Sequence, residues 1–132
     1  MDGVAEEDLV VPRGRSRTLA FARDASATRP AKDFLDTQAS DRERVQFFLY
    51  FTLLAEEGRI ANVQKFRKER GNIWGFKVAD ARVASFSRGR VWFLTHGFRK
   101  KRDRWPANEI ARAERIRWEH LLRSRELGDR ES

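Results

Sequence analysis

Three short extended segments with minimal connections constrain this chain most. Ile73 to Val78, Arg82 to Phe86 and Arg90 to Thr95 are rich in β-branched and aromatic residues. Only Ala79-Asp80-Ala81 and Ser87-Arg88-Gly89 separate them, lengths that fit tight antiparallel hairpins. Alternation places Trp74, Phe76 and Val78 on one face and Gly75 and Lys77 on the other. A small antiparallel meander is therefore expected near the middle of the chain.

Helices flank it. Ser40-Asp41-Arg42-Glu43 matches a capping box, in which the serine hydroxyl accepts from the backbone near Glu43 and the glutamate reaches back. The helix is expected to run to about Glu57, with Gly58 as the residue past its end. On a helical wheel Val45, Phe47, Phe48, Leu49, Phe51, Leu53 and Leu54 point in almost every direction, which predicts burial against a sheet or a partner. Pro30 suits the first turn of a short helix reaching Leu35, and Pro106 opens a last helix to about Leu127. Thr18 to Ala22 reads as a short first strand, and Lys65 to Arg70 as a basic loop before Gly71-Asn72. The expected organisation is a mobile leader at 1–17, one domain at 18–127 and a polar tail at 128–132. Its class is α+β: a small antiparallel sheet of three to five strands with two N-terminal helices and one C-terminal helix.

The chain is strongly basic. In 132 residues it carries 28 Lys and Arg against 20 Asp and Glu, a formal charge of +8. That balance, with 10 Phe and 4 Trp, favours an anionic partner, nucleic acid first. There is no cysteine, hence no disulfide framework, thiolate nucleophile or Cys-containing zinc site. The apolar run Val45 to Ala55 falls far short of the roughly 20 residues of a membrane span. Asp2, Glu6, Glu7 and Asp8 have the wrong sign for the start of a signal peptide. The expected location is the cytoplasm, with no membrane partner.

The cations cluster in three sets: Lys65, Arg67, Lys68 and Arg70; Lys77, Arg82, Arg88 and Arg90; and Arg99, Lys100, Lys101, Arg102 and Arg104. If the meander forms, the sets meet along one sheet face and grip a phosphodiester backbone. His96, in Thr95-His96-Gly97-Phe98-Arg99-Lys100-Lys101, lies beside dense positive charge that favours its neutral form, suited to acid or base work. The competing reading is a satisfied, half-buried histidine. Of the interleaved aromatics, Phe98 and Trp105 have the most charged neighbours and are the candidates for stacking a base, the rest being expected in the core. His120, mid-helix among charges, is expected at the surface. There is no glycine-rich phosphate loop, no paired carboxylates in the basic region and no metal-ligand cluster, so no cofactor or metal is expected. Hydrolysis without metal is open to RNA, whose 2′-hydroxyl can attack the neighbouring phosphate, and closed to DNA.

The string Gly71-Asn72-Ile73-Trp74-Gly75-Phe76-Lys77-Val78, then Arg82-Val83 and Phe86, then Thr95-His96-Gly97-Phe98-Arg99-Lys100-Lys101, then Pro106, Glu109-Ile110 and Ala113, resembles the HigB branch of the RelE/ParE toxin superfamily. Pro30-Ala31-Lys32-Asp33-Phe34-Leu35 and Leu54-Ala55-Glu56-Glu57-Gly58 fit its N-terminal helices, so the resemblance extends from about Leu19 to Leu122. It implies a phage-derived toxin of a type II toxin–antitoxin pair that cleaves mRNA on the ribosome and is neutralised by a helix-turn-helix antitoxin. By position it implies Arg82, Lys77 and His96 as catalytic, and Lys65, Arg67, Phe98, Arg99, Lys100 and Lys101 as RNA-binding. Two departures stand out. Arg-Asp-Arg-Trp follows Lys101 in place of a threonine-rich stretch, and Phe86 stands where the family has a tyrosine able to transfer a proton. The alternatives are a non-catalytic toxin of the ParE kind, poisoning DNA gyrase, and a plain RNA-binding module.

Overall fold

A computed structural model describes residues 2–102 and 104–131, the side chains of 126–131 excepted. Met1, Asp103 and Ser132, which belong to the expected leader, basic run and tail, lie outside the described residues. Strand β1 (Thr18–Phe21) is followed by helices α1 (Pro30–Thr37) and α2 (Asp41–Glu57). Strands β2 (Phe66–Arg70), β3 (Ile73–Val78), β4 (Ala81–Arg88) and β5 (Val91–Arg99) come next, and helix α3 (Ala107–Glu131) ends the chain. The class and helix arrangement are as expected.

The sheet has the order β1-β5-β4-β3-β2. The meander is antiparallel, but β1 lies parallel to β5, Thr18 opposite Val91 and Phe21 opposite Leu94. The sheet is thus mixed, not wholly antiparallel. Two helices and three strands separate β1 from β5, ample chain for the return that a parallel pair requires. A second correction concerns Lys65 to Arg70. Most of this basic run is strand β2 at the sheet edge, Arg67 opposite Gly75 and Lys68 opposite Trp74. Charged side chains at an edge also guard it against pairing with other chains.

Strand alternation divides the core in two. Phe76, Val78, Val83 and Leu94 point to α1 and α2, joining Phe34, Leu35, Phe47, Phe51 and Leu54. Ile73, Ala84, Phe86 and Phe98 point the other way, joining Trp105, Ala113 and Ile116 at α3. The capping box of α2 forms as read. Ser40 Oγ accepts from the Glu43 amide at 3.1 Å, Glu43 Oε1 accepts from the Ser40 amide at 2.8 Å, and Gly58 ends the helix at φ 78°. Burial of α2 on all sides does not occur. Val45, Leu49 and Leu53 remain 68, 59 and 40 % exposed.

Residues 2–17, expected as a leader, pack on the domain. Val10 and Val11 enter the main core, and the Val10 amide donates to Leu19 O at 3.0 Å. Arg13 pairs with Asp2 and Glu6, and Arg23 with Asp8. Two adjacent valines supplied the apolar contact, too short a run to show periodicity. Helix α3 continues to Glu131 instead of giving way to a tail at 128. One glycine costs a helix only about 1 kcal/mol.

Candidate nucleic-acid interface

Period-two alternation of the edge strand brings Lys65, Arg67 and Glu69 to the α3 side of the sheet. Across the ladder, Arg67 lies opposite Gly75, and Lys77 opposite Arg82. The Lys77 amide donates to Lys65 O at 2.9 Å, which fixes the two lysines side by side along the backbone. The result is a cleft lined by Lys65, Arg67, Glu69, Lys77, Arg82 and Trp105. Gly75 leaves room for its floor: a Cβ there would fall 2.2 Å from Cζ2 of the Trp105 indole.

Within this cleft Arg82 is only 3 % exposed. Its Nη1 donates to Ala79 O at 2.8 Å and Ala81 O at 3.1 Å, so the guanidinium is held by its own hairpin turn. Arg67 Nε donates to Glu69 Oε1 at 3.0 Å, which orients the carboxylate. Among the described residues, four cations thus line the cleft with one largely buried carboxylate. A shallower depression continues beyond Glu69 and Trp105, bounded by Arg70, Arg104, Ala107 and Ile110. Glu69 is not among the residues expected from the sequence, because Lys65 to Arg70 reads there as a basic loop. Read as a strand, the same residues place Lys65, Arg67 and Glu69 on one face, a signal present in the spacing.

His96 is elsewhere. It is fully buried, with Nε2 3.2 Å from Glu109 Oε1 and Nδ1 3.2 Å from the Thr95 hydroxyl. The ring stacks on Phe98 at 5.4 Å. Burial pushes its pKa down to about 3, with smaller contributions from Arg112 and Arg115 of α3. The expected neutral form is therefore correct in direction, but desolvation is its main cause and the lysines after β5 are not. The expectation of an imidazole at the cleft is corrected. As a neutral ring donating from Nε2 to Glu109 and accepting at Nδ1 from Thr95, it ties β5 to the first turn of α3.

A β-bulge explains this placement. Val83 pairs with Gly97 and Ser85 with Leu94, so Ala84 alone opposes both Thr95 and His96. The extra residue reverses the alternation, which is why Phe93 and Phe98 both pack on the α3 side. Phe98 is also buried, edge-on to Trp105 at 4.7 Å, and presents no free ring to a base.

Arg99, expected to bind RNA, spends its guanidinium within the chain. It donates to both Glu43 carboxylate oxygens at 2.8 and 2.9 Å, to Asp80 at 2.7 Å and to Gln38 O at 2.7 Å. Its charge holds the Glu43 carboxyl down at about 2. Lys100 donates from Nζ to Arg104 O, and Lys101 is exposed beside it. His120, expected at the surface, is half-buried, accepting the Arg23 amide at 3.0 Å and packing on Phe93 at 4.5 Å.

Among the described residues no group of three or more His, Asp or Glu could hold a metal ion, and no helix is long and apolar enough to cross a membrane. The family described as phage derived protein Gp49-like (DUF891) matches residues 33–117, more than half of the chain. That stretch takes in most of α1, all of α2, every strand of the meander and all the cleft residues. No curated protein matches the sequence.

Proposed function

The chain belongs to the Gp49-like family of phage-derived proteins, toxins of toxin–antitoxin systems related to RelE and HigB, and on that premise we propose that it is a metal-independent endoribonuclease. It cuts ribosome-bound mRNA in the cytoplasm, inhibits translation, and is held in check by a helix-turn-helix antitoxin. One observation carries this reading: among the described residues, Lys65, Arg67, Lys77 and Arg82 line a single cleft with the oriented carboxylate of Glu69.

In this reading the RNA 2′-hydroxyl attacks the adjacent phosphorus, forming a 2′,3′-cyclic phosphate as the 5′-oxygen departs. Glu69 takes the hydroxyl proton, and Arg67 keeps its carboxylate aimed. Arg82 and Lys77 carry the charge that grows on the phosphorane oxygens. The Lys65 ammonium gives a proton to the leaving 5′-oxygen. A positioned acid–base pair contributes about 10²–10⁴-fold at each proton transfer. Lys100 and Lys101, which follow β5, add positive charge that attracts the strand. His96 positions α3, and with it Trp105.

Primer extension on mRNA translated in the presence of the purified chain tests the proposal. Cleavage that persists in excess chelator and disappears with Arg82→Ala is expected. Intact mRNA with induced DNA breaks would instead indicate a gyrase poison, and binding without cleavage or growth arrest an RNA-binding module.

A further inference from the structure

We propose that the outer face of α2 is a self-association surface, on which a second copy of this chain docks with its α2 antiparallel. The proposal is independent of the nuclease reading. Val45, Leu49 and Leu53 form an apolar stripe on α2, opposite the buried face made by Phe47, Phe51, Leu54 and Ala55. Arg42 and Glu56 extend the stripe at its two ends, in the i, i+3, i+4 pattern of a helix-pairing seam.

The charges select the partner. Of the six charged residues on α2, four are paired within the chain: Asp41 with Arg44, Glu43 with Arg99 and Glu57 with Arg15. Arg42 and Glu56 are exposed and have no ion-pair partner among the described residues. Both sit seven residues from Leu49, about 10.5 Å along the axis at 1.5 Å per residue. A two-fold axis at Leu49 therefore sets Leu49 against its own copy, Val45 against the partner's Leu53 and Arg42 against the partner's Glu56. That is the self-complementary pattern of an isologous interface. Parallel pairing would oppose like charges at both ends. With those pairs formed, Arg42 and Glu56 balance each other and the face is locally neutral in a chain of charge +8, so two copies meet there with little repulsion. One helix pair is smaller than the roughly 1,200 Å² of a standard interface, so the association is weak.

Sedimentation velocity on the full chain, from about 5 to 200 μM, tests this. A concentration-dependent dimer is expected, weakened by salt. Leu49→Arg should raise the dissociation constant at least about tenfold, with unchanged circular dichroism. Arg42→Glu and Glu56→Arg should each weaken it, and the two together should restore it. A monomer at every concentration overturns the proposal. So does a dimer indifferent to Leu49→Arg, or a double reversal that fails to rescue. A monomer that loses binding of an antitoxin on Leu49→Arg would reassign the face to that partner.

Discussion

Trp105 packs directly on Gly75, with no space between indole and backbone for even a Cβ. The contact joins the start of α3 to the centre of the cleft, since Trp105 also meets Phe98 edge-on and Phe98 stacks on His96. Stability of the α3 face and shape of the cleft are therefore linked through one tryptophan.

Gly75→Ala should break that link. The methyl group must displace the indole, an overpacking that costs about 1–3 kcal/mol. Denaturant midpoints should fall accordingly, and mRNA cleavage should drop at least about tenfold in protein that is still folded at the assay temperature.

Acid sensitivity should begin well above the carboxylate range. His96 and His120 both have pKa values lowered by burial, so the unfolded chain binds their protons first as pH falls below about 6.5. Stability is then fully present above that pH and declines below it, by at most about 1.4 kcal/mol per pH unit for each histidine. Urea unfolding at several pH values between 7 and 5 should show this slope, and His96→Gln should reduce it by about half. An unchanged slope would contradict the buried, neutral assignment of His96.

Arg99 should matter for folding and not for RNA. Its removal frees Glu43 and Asp80 and loosens the tie between α2 and the β3–β4 turn. Because the guanidinium is partly exposed, we expect Arg99→Ala to cost only about 1 kcal/mol. Glu43, held at about 2, contributes stability that is present above pH 4.5 and lost as pH falls towards 2; in Arg99→Ala that acid-side loss should shrink. RNA affinity, measured by fluorescence anisotropy, should change less than about twofold, because a rim charge away from the cleft adds little.

The N-terminal segment should be part of the fold's stability. Val10→Ala with Val11→Ala removes four methyl-sized groups from the main core. At about 0.8 kcal/mol each, a loss of about 3 kcal/mol is expected, read as a lowered thermal midpoint.

The meander, the capping box and the two faces of β3 were legible because each is written in local periodicity or spacing. Ser40 and Glu43 are three residues apart, and Trp74, Phe76 and Val78 alternate. What was not legible depended on long-range pairing or on a break in periodicity. The parallel β1–β5 pair joins residues more than seventy positions apart. The bulge opposite Ala84 flips His96 into the interior without any residue type to announce it. Of the three cation sets, Lys65, Arg67, Lys77 and Arg82 line one cleft, whereas Arg99 stands apart because Glu43 and Asp80 are closer competitors for its charge. Glu69 was hidden by its cationic neighbours, although its alternation with Arg67 and Lys65 marks one strand face.

The central claim is that the reacting groups are those of the β2–β4 cleft and not the buried histidine. Single-turnover cleavage of ribosome-bound mRNA by Glu69→Gln, Arg82→Ala and His96→Gln tests it most directly, with each variant first checked for folding at the assay temperature. The account predicts losses of at least about 10²-fold for Glu69→Gln and Arg82→Ala, and a loss of less than about tenfold for folded His96→Gln. A His96→Gln variant that is folded but inactive, beside an unimpaired Glu69→Gln, would contradict it.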